Sequence, residues 1–98
     1  MTITSTEPSV TVIFPAALFD RTGGRQTAQL SAPDVRTLVD RLEEQWPGMR
    51  FSLCYETGEL REFVNIFIGA RNVRYLDGLD TPLPSGSTVR ILKSVAGG

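Results

Sequence analysis

The fold is decided by the stretch Ser31–Gly48, which reads SAPDVRTLVDRLEEQWPG. Its apolar residues recur at intervals of three and four, so a helix gathers them into one stripe: Val35, Leu38, Val39, Leu42 and Trp46. We expect Ser31 to cap this helix, with Asp34 completing a capping box and Pro33 in the first turn. A helix with a single apolar stripe must bury it against a second layer, and the flanking segments are candidates for that layer.

Segments on both sides of the helix favour extended backbone. Before it, Val10–Phe14 is a strand, and Gln26–Leu30 is expected to return antiparallel to it. The Pro15–Arg25 connection is predicted to be a loop whose apolar residues, Leu18 and Phe19, pack against the domain. After the helix, the expected extended segments are Phe51–Tyr55, Phe63–Ile68, Asn72–Tyr75 and Thr88–Leu92, separated by polar loops over Glu56–Glu62 and Asp77–Ser87.

This order of elements predicts an α+β fold of the β-grasp, or ubiquitin-like, type. A mixed sheet of four to five strands packs on one main helix, and the first and last strands lie parallel at its centre. The 98 residues suffice for one such domain. We expect a flexible N-terminal tail over residues 1–9, the β-grasp domain over 10–93, and a flexible C-terminal tail over 94–98 that ends in Gly97 and Gly98.

The composition excludes several classes of function. The chain has no histidine, so it lacks the commonest general base and metal ligand, and with Cys54 as its one cysteine it cannot build a structural zinc site. A net charge of −1 argues against nucleic acid as a partner. No apolar run is long enough to span a bilayer, and Met1–Ser9 lacks the pattern of a signal peptide. One cysteine favours a reducing compartment, so we expect a cytoplasmic location.

Several motifs resemble those of the MoaD/ThiS ubiquitin-like sulfur carriers, and most of all the carriers of the thiocarboxylate-dependent route to cysteine. The likeness extends from Val10 to Gly98. It rests on the strand order and on Phe63-Val64-Asn65-Ile66, Asn72-Val73-Arg74, the loop Leu83–Ser87, the strand Thr88–Leu92, and the final Val95-Ala96-Gly97-Gly98.

The resemblance implies a protein cosubstrate and not an enzyme. An E1-like activating enzyme would use ATP to adenylate the Gly98 carboxylate, and a sulfur donor would displace AMP to leave a thiocarboxylate. In the cysteine route, a pyridoxal-phosphate enzyme accepts the sulfur and a metalloprotease releases cysteine from the carrier. The carrier itself would bind no cofactor and no metal, and it would act as a monomer.

The properties of glycine also suggest roles for the last two residues, independently of the resemblance. Glycine lacks a Cβ, so Gly97 gives the backbone clearance in a narrow active site while Gly98 presents the reacting carboxyl. Alternation along the strands places Phe67 and Leu92 on the outer face of the sheet. We expect these two residues, together with Val95 and Ala96, to contact partner enzymes.

Two other functions remain open at this stage. A ubiquitin-like modifier, joined to lysines of target proteins through Gly98, would use the same adenylation step. A passive β-grasp binding module would undergo no ATP-dependent change at its terminus. The sequence also leaves open whether the sulfur goes to cysteine, molybdopterin, thiamine or another sulfur-containing metabolite.

Overall fold

The computed structural model describes residues 8–94. Its strands are β1 (Ser9–Ile13), β2 (Thr27–Ser31), β3 (Val64–Ile68), β4 (Arg71–Asn72) and β5 (Thr88–Lys93). The α-helices are α1 (Phe19–Thr22), α2 (Val35–Gln45) and α3 (Met49–Leu53), and short 3-10 helices span Ala16–Leu18, Val73–Tyr75 and Gly78–Asp80. The predicted tails fall largely outside this range.

The strands form one mixed sheet in the order β2-β1-β5-β3-β4. The first strand pairs antiparallel with β2 and parallel with β5, with Val12 opposite Val89. The last strand also pairs antiparallel with β3, with Ile66 opposite Ile91. The predicted β-grasp architecture, with parallel first and last strands at the centre, is therefore confirmed.

The core lies between the sheet and α2. The helix contributes the predicted stripe, of which Val35, Leu38, Val39 and Leu42 are buried. Trp46 lies just past the helix and packs edge-to-face on Phe14, with ring centroids 5.3 Å apart. From the sheet, the alternate residues of each strand fill the other side: Val10, Val12, Val64, Ile66, Val89 and Ile91.

The predicted start of the main helix is wrong. Asp34, not Ser31, is the N-cap, and its Oδ1 accepts the Thr37 N–H at 2.8 Å. Ser31 instead ends β2, opposite Ser9. Pro33 precedes the cap and is not in the first turn. A cap at Ser31 would require helical backbone at Ala32, which the following Pro33 disfavours.

Four segments predicted as loop or strand contain helical turns, among them Asp77–Ser87, which holds the 3-10 helix Gly78–Asp80. The Pro15–Arg25 connection holds a 3-10 helix and α1, although Leu18 is buried and Phe19 packs on the core as predicted. The segment Asn72–Tyr75 is strand only at its first residue and continues as a 3-10 helix.

The largest correction concerns Phe51–Tyr55, which was predicted to be extended. Its first three residues belong to α3, and Cys54 forms an isolated bridge with Leu60. The Glu43 carboxylate accepts the N–H groups of Gly48 and Arg50, which supplies the cap that α3 needs. Strand propensity is a local property of residues 51–55, so it does not include the effect of a capping group at Glu43.

Candidate functional site

The last strand delivers the chain to one end of the sheet. β5 ends at Lys93, and the Ser94 N–H donates to the Phe63 carbonyl at 2.9 Å. We call Lys93 and Ser94 the tail root. The four site residues predicted beyond it, Val95, Ala96, Gly97 and Gly98, lie outside the described residues.

The two site residues predicted on the sheet, Phe67 and Leu92, lie on its outer face, and Leu92 adjoins the tail root. Leu92 is 43% exposed and lies opposite Asn65, while Phe67 is half-buried and lies opposite Arg90. Leu92 and Phe67 are thus diagonal neighbours on adjacent strands, close enough for their side chains to meet. Ile13 of β1 is also opposite Arg90. The outer-face patch is defined here as Ile13, Phe67 and Leu92, which lie around Arg90 on this face of the sheet.

A second surface lies at the tail root on the helix side of the sheet. Because side chains alternate along a strand, Lys93 points to the same side as Val89 and Ile91, opposite to Leu92. There it lines an open cavity of about 510 Å³, which we call the tail-root groove. The groove has exposed aromatic rings and basic side chains along its walls, chiefly those of Phe51, Tyr55, Phe63, Arg21, Arg61 and Lys93.

Arg61 organises one wall of this groove. Its guanidinium lies 4.6 Å from the centre of the Phe51 ring and 4.9 Å from that of Tyr55. Its Nε–H donates to the Phe51 carbonyl at 2.7 Å, and its backbone N–H donates to the Leu53 carbonyl. The sequence prediction missed this wall because it treated Phe51–Tyr55 as a strand. Tyr55 lies beyond the end of α3 at Leu53, so no helical spacing in the sequence signals that the two rings meet at Arg61.

The Asn72-Val73-Arg74 motif braces the start of β3, next to the tail root. The Arg74 guanidinium donates to the carbonyls of Arg61 and Val64, and the Asn72 side-chain amide donates to Asn65 Oδ1 at 3.1 Å. Asn72 also accepts the Arg74 N–H, which starts the 3-10 helix. These bonds tie the 3-10 helix to Arg61 and to the start of β3, next to the tail root.

The remaining chemically reactive side chain takes no part in this site. Cys54 is buried, and burial raises the pKa of its thiol, which opposes formation of the nucleophilic thiolate. Within residues 8–94, His, Cys, Asp and Glu side chains form no group of three that could hold a metal ion. No helix in the same range is long and apolar enough to cross a bilayer.

Comparison with known proteins relates this arrangement to a family. The model of the ThiS family matches residues 12–98. The sulfur carrier protein CysO of Mycobacterium tuberculosis (strain ATCC 25618 / H37Rv) is 35% identical over 92 residues, which cover 92% of this chain and 99% of that protein. The small archaeal modifier protein 3 of Haloferax volcanii is 33% identical over 85 residues, which cover 84% of this chain and 91% of that protein.

The structural match agrees with the sequence matches. A chain in the crystal structure of the Amycolatopsis orientalis BexX/CysO complex superposes with a TM-score of 0.83 at 32% identity, covering 91% of this chain and 99% of that one. The chain therefore belongs to the ThiS/MoaD family of ubiquitin-like sulfur carriers, whose members are small carrier proteins and not catalysts.

Proposed function

We propose that this protein carries sulfur as a thiocarboxylate on Gly98 and donates it to the biosynthesis of cysteine or another sulfur-containing metabolite. The observation that carries this proposal is the match of the family model through Gly98, together with 35% identity to CysO over nearly the whole of both chains. The fold supports it, because β5 is the central strand and ends at the tail root, at one end of the sheet.

The chemistry requires an activating enzyme. A carboxylate is a poor electrophile, because oxide would have to leave. Attack of the Gly98 carboxylate on the α-phosphorus of ATP releases pyrophosphate and gives an acyl adenylate. A sulfur donor then displaces AMP, which leaves a thiocarboxylate. The chain has no glycine-rich loop followed by Lys and Ser or Thr, so we expect the partner to bind the nucleotide and this chain to bind no cofactor.

The partners follow from this sequence of steps. They are an E1-like activating enzyme, a sulfur donor and a sulfur-accepting biosynthetic enzyme. One matched structure is a complex of CysO with a second protein, BexX. If the sulfur goes to cysteine, the acceptor is a pyridoxal-phosphate enzyme and a metalloprotease releases the product. We expect the carrier to act as a monomer in the cytoplasm, where ATP is available.

The test is a mass measurement on the intact protein. The purified chain is incubated with ATP, the activating enzyme encoded in the same genome, and sulfide as the sulfur source. We expect a mass increase equal to the replacement of one oxygen by sulfur. Treatment with iodoacetamide should convert this species into its alkylated product, which has a correspondingly higher mass. Deleting Gly98, or adding one residue after it, should abolish the change while the circular dichroism spectrum stays the same. An extended variant that still gains sulfur at its terminus would refute the proposal.

A second function has one observation in its favour. The 33% identity to a small archaeal modifier protein supports conjugation of Gly98 to lysines of other proteins. Expression of a tagged chain in its own host separates the two functions. A carrier gives free protein with sulfur in place of oxygen, a modifier gives heavier conjugates that depend on Gly98, and a passive binding module gives neither.

A further inference from the structure

The tail-root groove is lined by more positive than negative side chains. Arg21, Arg61 and Lys93 line it, and Glu62 is the one acidic residue among its lining residues. Two arginines elsewhere pair with acids, Arg36 with Asp80 at 3.1 Å and Arg50 with Asp40 at 2.7 Å. The three cations of the groove form no ion pair with any carboxylate of residues 8–94. The groove is therefore complementary to an acidic group from outside.

Arg61 is already ordered for such a contact. The rings of Phe51 and Tyr55 pack on its guanidinium and the Phe51 carbonyl accepts its Nε–H, while its two terminal NH₂ groups donate to no atom of residues 8–94. A guanidinium held this way loses little side-chain entropy when a carboxylate binds its free edge.

The groove also has apolar surface to bury. Phe51 is 62% exposed and Phe63 is 42% exposed. Exposed aromatic rings beside an ordered arginine are the residue types that most often supply the binding energy at protein interfaces. An occupant that places an apolar side chain next to a carboxylate satisfies both parts of the groove.

The short distance between the groove and Gly98 indicates which protein supplies that occupant. Ser94 lines the groove, and Gly98 is four residues further along, so their Cα atoms are at most about 14 Å apart. An enzyme that encloses the Gly98 carboxyl to adenylate it must bring the entrance of its active site to within this distance of the groove. The activating enzyme must therefore lie close to the tail-root groove while it adenylates Gly98.

We propose that the tail-root groove is a docking site for the activating enzyme, and that it binds an acidic segment with an adjacent apolar side chain at the entrance to that enzyme's active site. This inference rests on the proposed function. The groove acts in addition to the outer-face patch, from the opposite side of β5.

The test measures pyrophosphate release by the activating enzyme of the same genome at varied carrier concentration. Arg61→Gln combined with Lys93→Gln should raise the KM for the carrier about tenfold and leave kcat unchanged, because two interface charges are lost while the reacting terminus is intact. Phe51→Ser should raise KM similarly. Arg61 also supports α3, so Lys93→Glu is tested alone as well, because the Lys93 side chain makes no hydrogen bond or ion pair within residues 8–94.

Salt dependence separates docking from misfolding. The KM of the parent should rise with added salt, and this response should be weaker in Lys93→Glu. Arg71→Gln and Tyr75→Ser are matched controls, because both residues are exposed and neither lines the groove. These controls should keep the KM and the salt response of the parent.

The outcomes distinguish the two proposals. If the parent is adenylated but the groove variants keep its KM and its salt response, the groove proposal is wrong and the carrier function stands. If the parent is not adenylated, the carrier function fails. The affinity of the carrier for the activating enzyme, measured by calorimetry without ATP, then tests the groove proposal directly. Equal affinities for the parent and Lys93→Glu would overturn it.

Discussion

Leu92 and Lys93 are consecutive in the sequence but contribute to opposite faces of the sheet. Leu92 belongs to the outer-face patch with Phe67, and Lys93 lines the tail-root groove. The pleat of β5 alone produces this division. A partner that surrounds the emerging tail therefore meets an apolar surface on one side and a basic, aromatic surface on the other.

The outer-face patch can be tested with Leu92→Ser. Because Leu92 is already 43% exposed, we expect the free energy of unfolding to change by no more than about 0.5 kcal/mol. The KM of the activating enzyme for the carrier should rise roughly tenfold, since an apolar contact is lost at the interface. The rise should persist at high salt, in contrast to that of Lys93→Glu.

Leu76→Ser is the matched control for this prediction. Leu76 is 37% exposed and follows the 3-10 helix Val73–Tyr75, outside the patch. We expect its KM to equal that of the parent. Equal KM values for Leu92→Ser and the parent would exclude the patch as a docking surface.

At the scale of elements, the junction between α2 and α3 depends on one carboxylate. Glu43 accepts the N–H of Arg50 at 2.8 Å and that of Gly48 at 3.1 Å, and these bonds hold the pKa of Glu43 below its ordinary value. Gly48 has a φ of +98°, a conformation that side-chain-bearing residues rarely adopt, which lets the chain reverse between the helices. The turn positions α3, and with it the aromatic wall of the groove.

The depressed pKa gives Glu43→Gln a pH-dependent effect on stability. The ionised carboxylate stabilises the fold above its unfolded pKa of about 4.3, and this contribution is lost as the pH falls through the lower pKa of the folded state. We therefore expect Glu43→Gln to be less stable than the parent at pH 7, and the difference to shrink below pH ~4.

Urea unfolding at a series of pH values measures this effect. Glu44→Gln is the matched control, because Glu44 is the next residue of the same helix and is exposed. We expect it to follow the parent at each pH. A constant difference between Glu43→Gln and the parent across the series would show that the carboxylate does not cap α3.

At the scale of the whole molecule, β5 joins the two halves of the sheet. It pairs with β1 on one side and β3 on the other, so its inward residues touch the centre of the core. Ile91 is 1% exposed, whereas its neighbour Arg90 is exposed on the outer face. The strand that delivers the tail is also the one on which the stability of the sheet depends.

Ile91→Ala should lower the free energy of unfolding by about 2–5 kcal/mol, because it removes buried apolar atoms and leaves a cavity. Arg90→Ala in the same strand should change it by no more than about 0.5 kcal/mol. Urea unfolding followed by Trp46 fluorescence compares the two. Equal losses would mean that the core does not extend to the centre of β5.

The fold was predictable because its main signals are periodic. The stripe from Val35 to Leu42 and the alternation in β3 and β5 identify the buried faces without any knowledge of distant contacts. The same alternation placed Leu92 and Phe67 on the outer face, as the structure has them. The roles predicted for Gly97 and Gly98 depend on partner enzymes and stay predictions.

What the sequence could not determine was set by contacts between segments distant along the chain. Ser31 and Asp34 are both good capping residues, and pairing of Ser31 with Ser9 decided between them. The residues Phe51–Tyr55 favour a strand locally, but the first three belong to α3, which the Glu43 carboxylate caps. The tail-root groove exists because β5, α3 and the 54–62 loop meet in space. Local patterns thus determine buried faces, whereas tertiary contacts decide where elements begin and which surfaces adjoin.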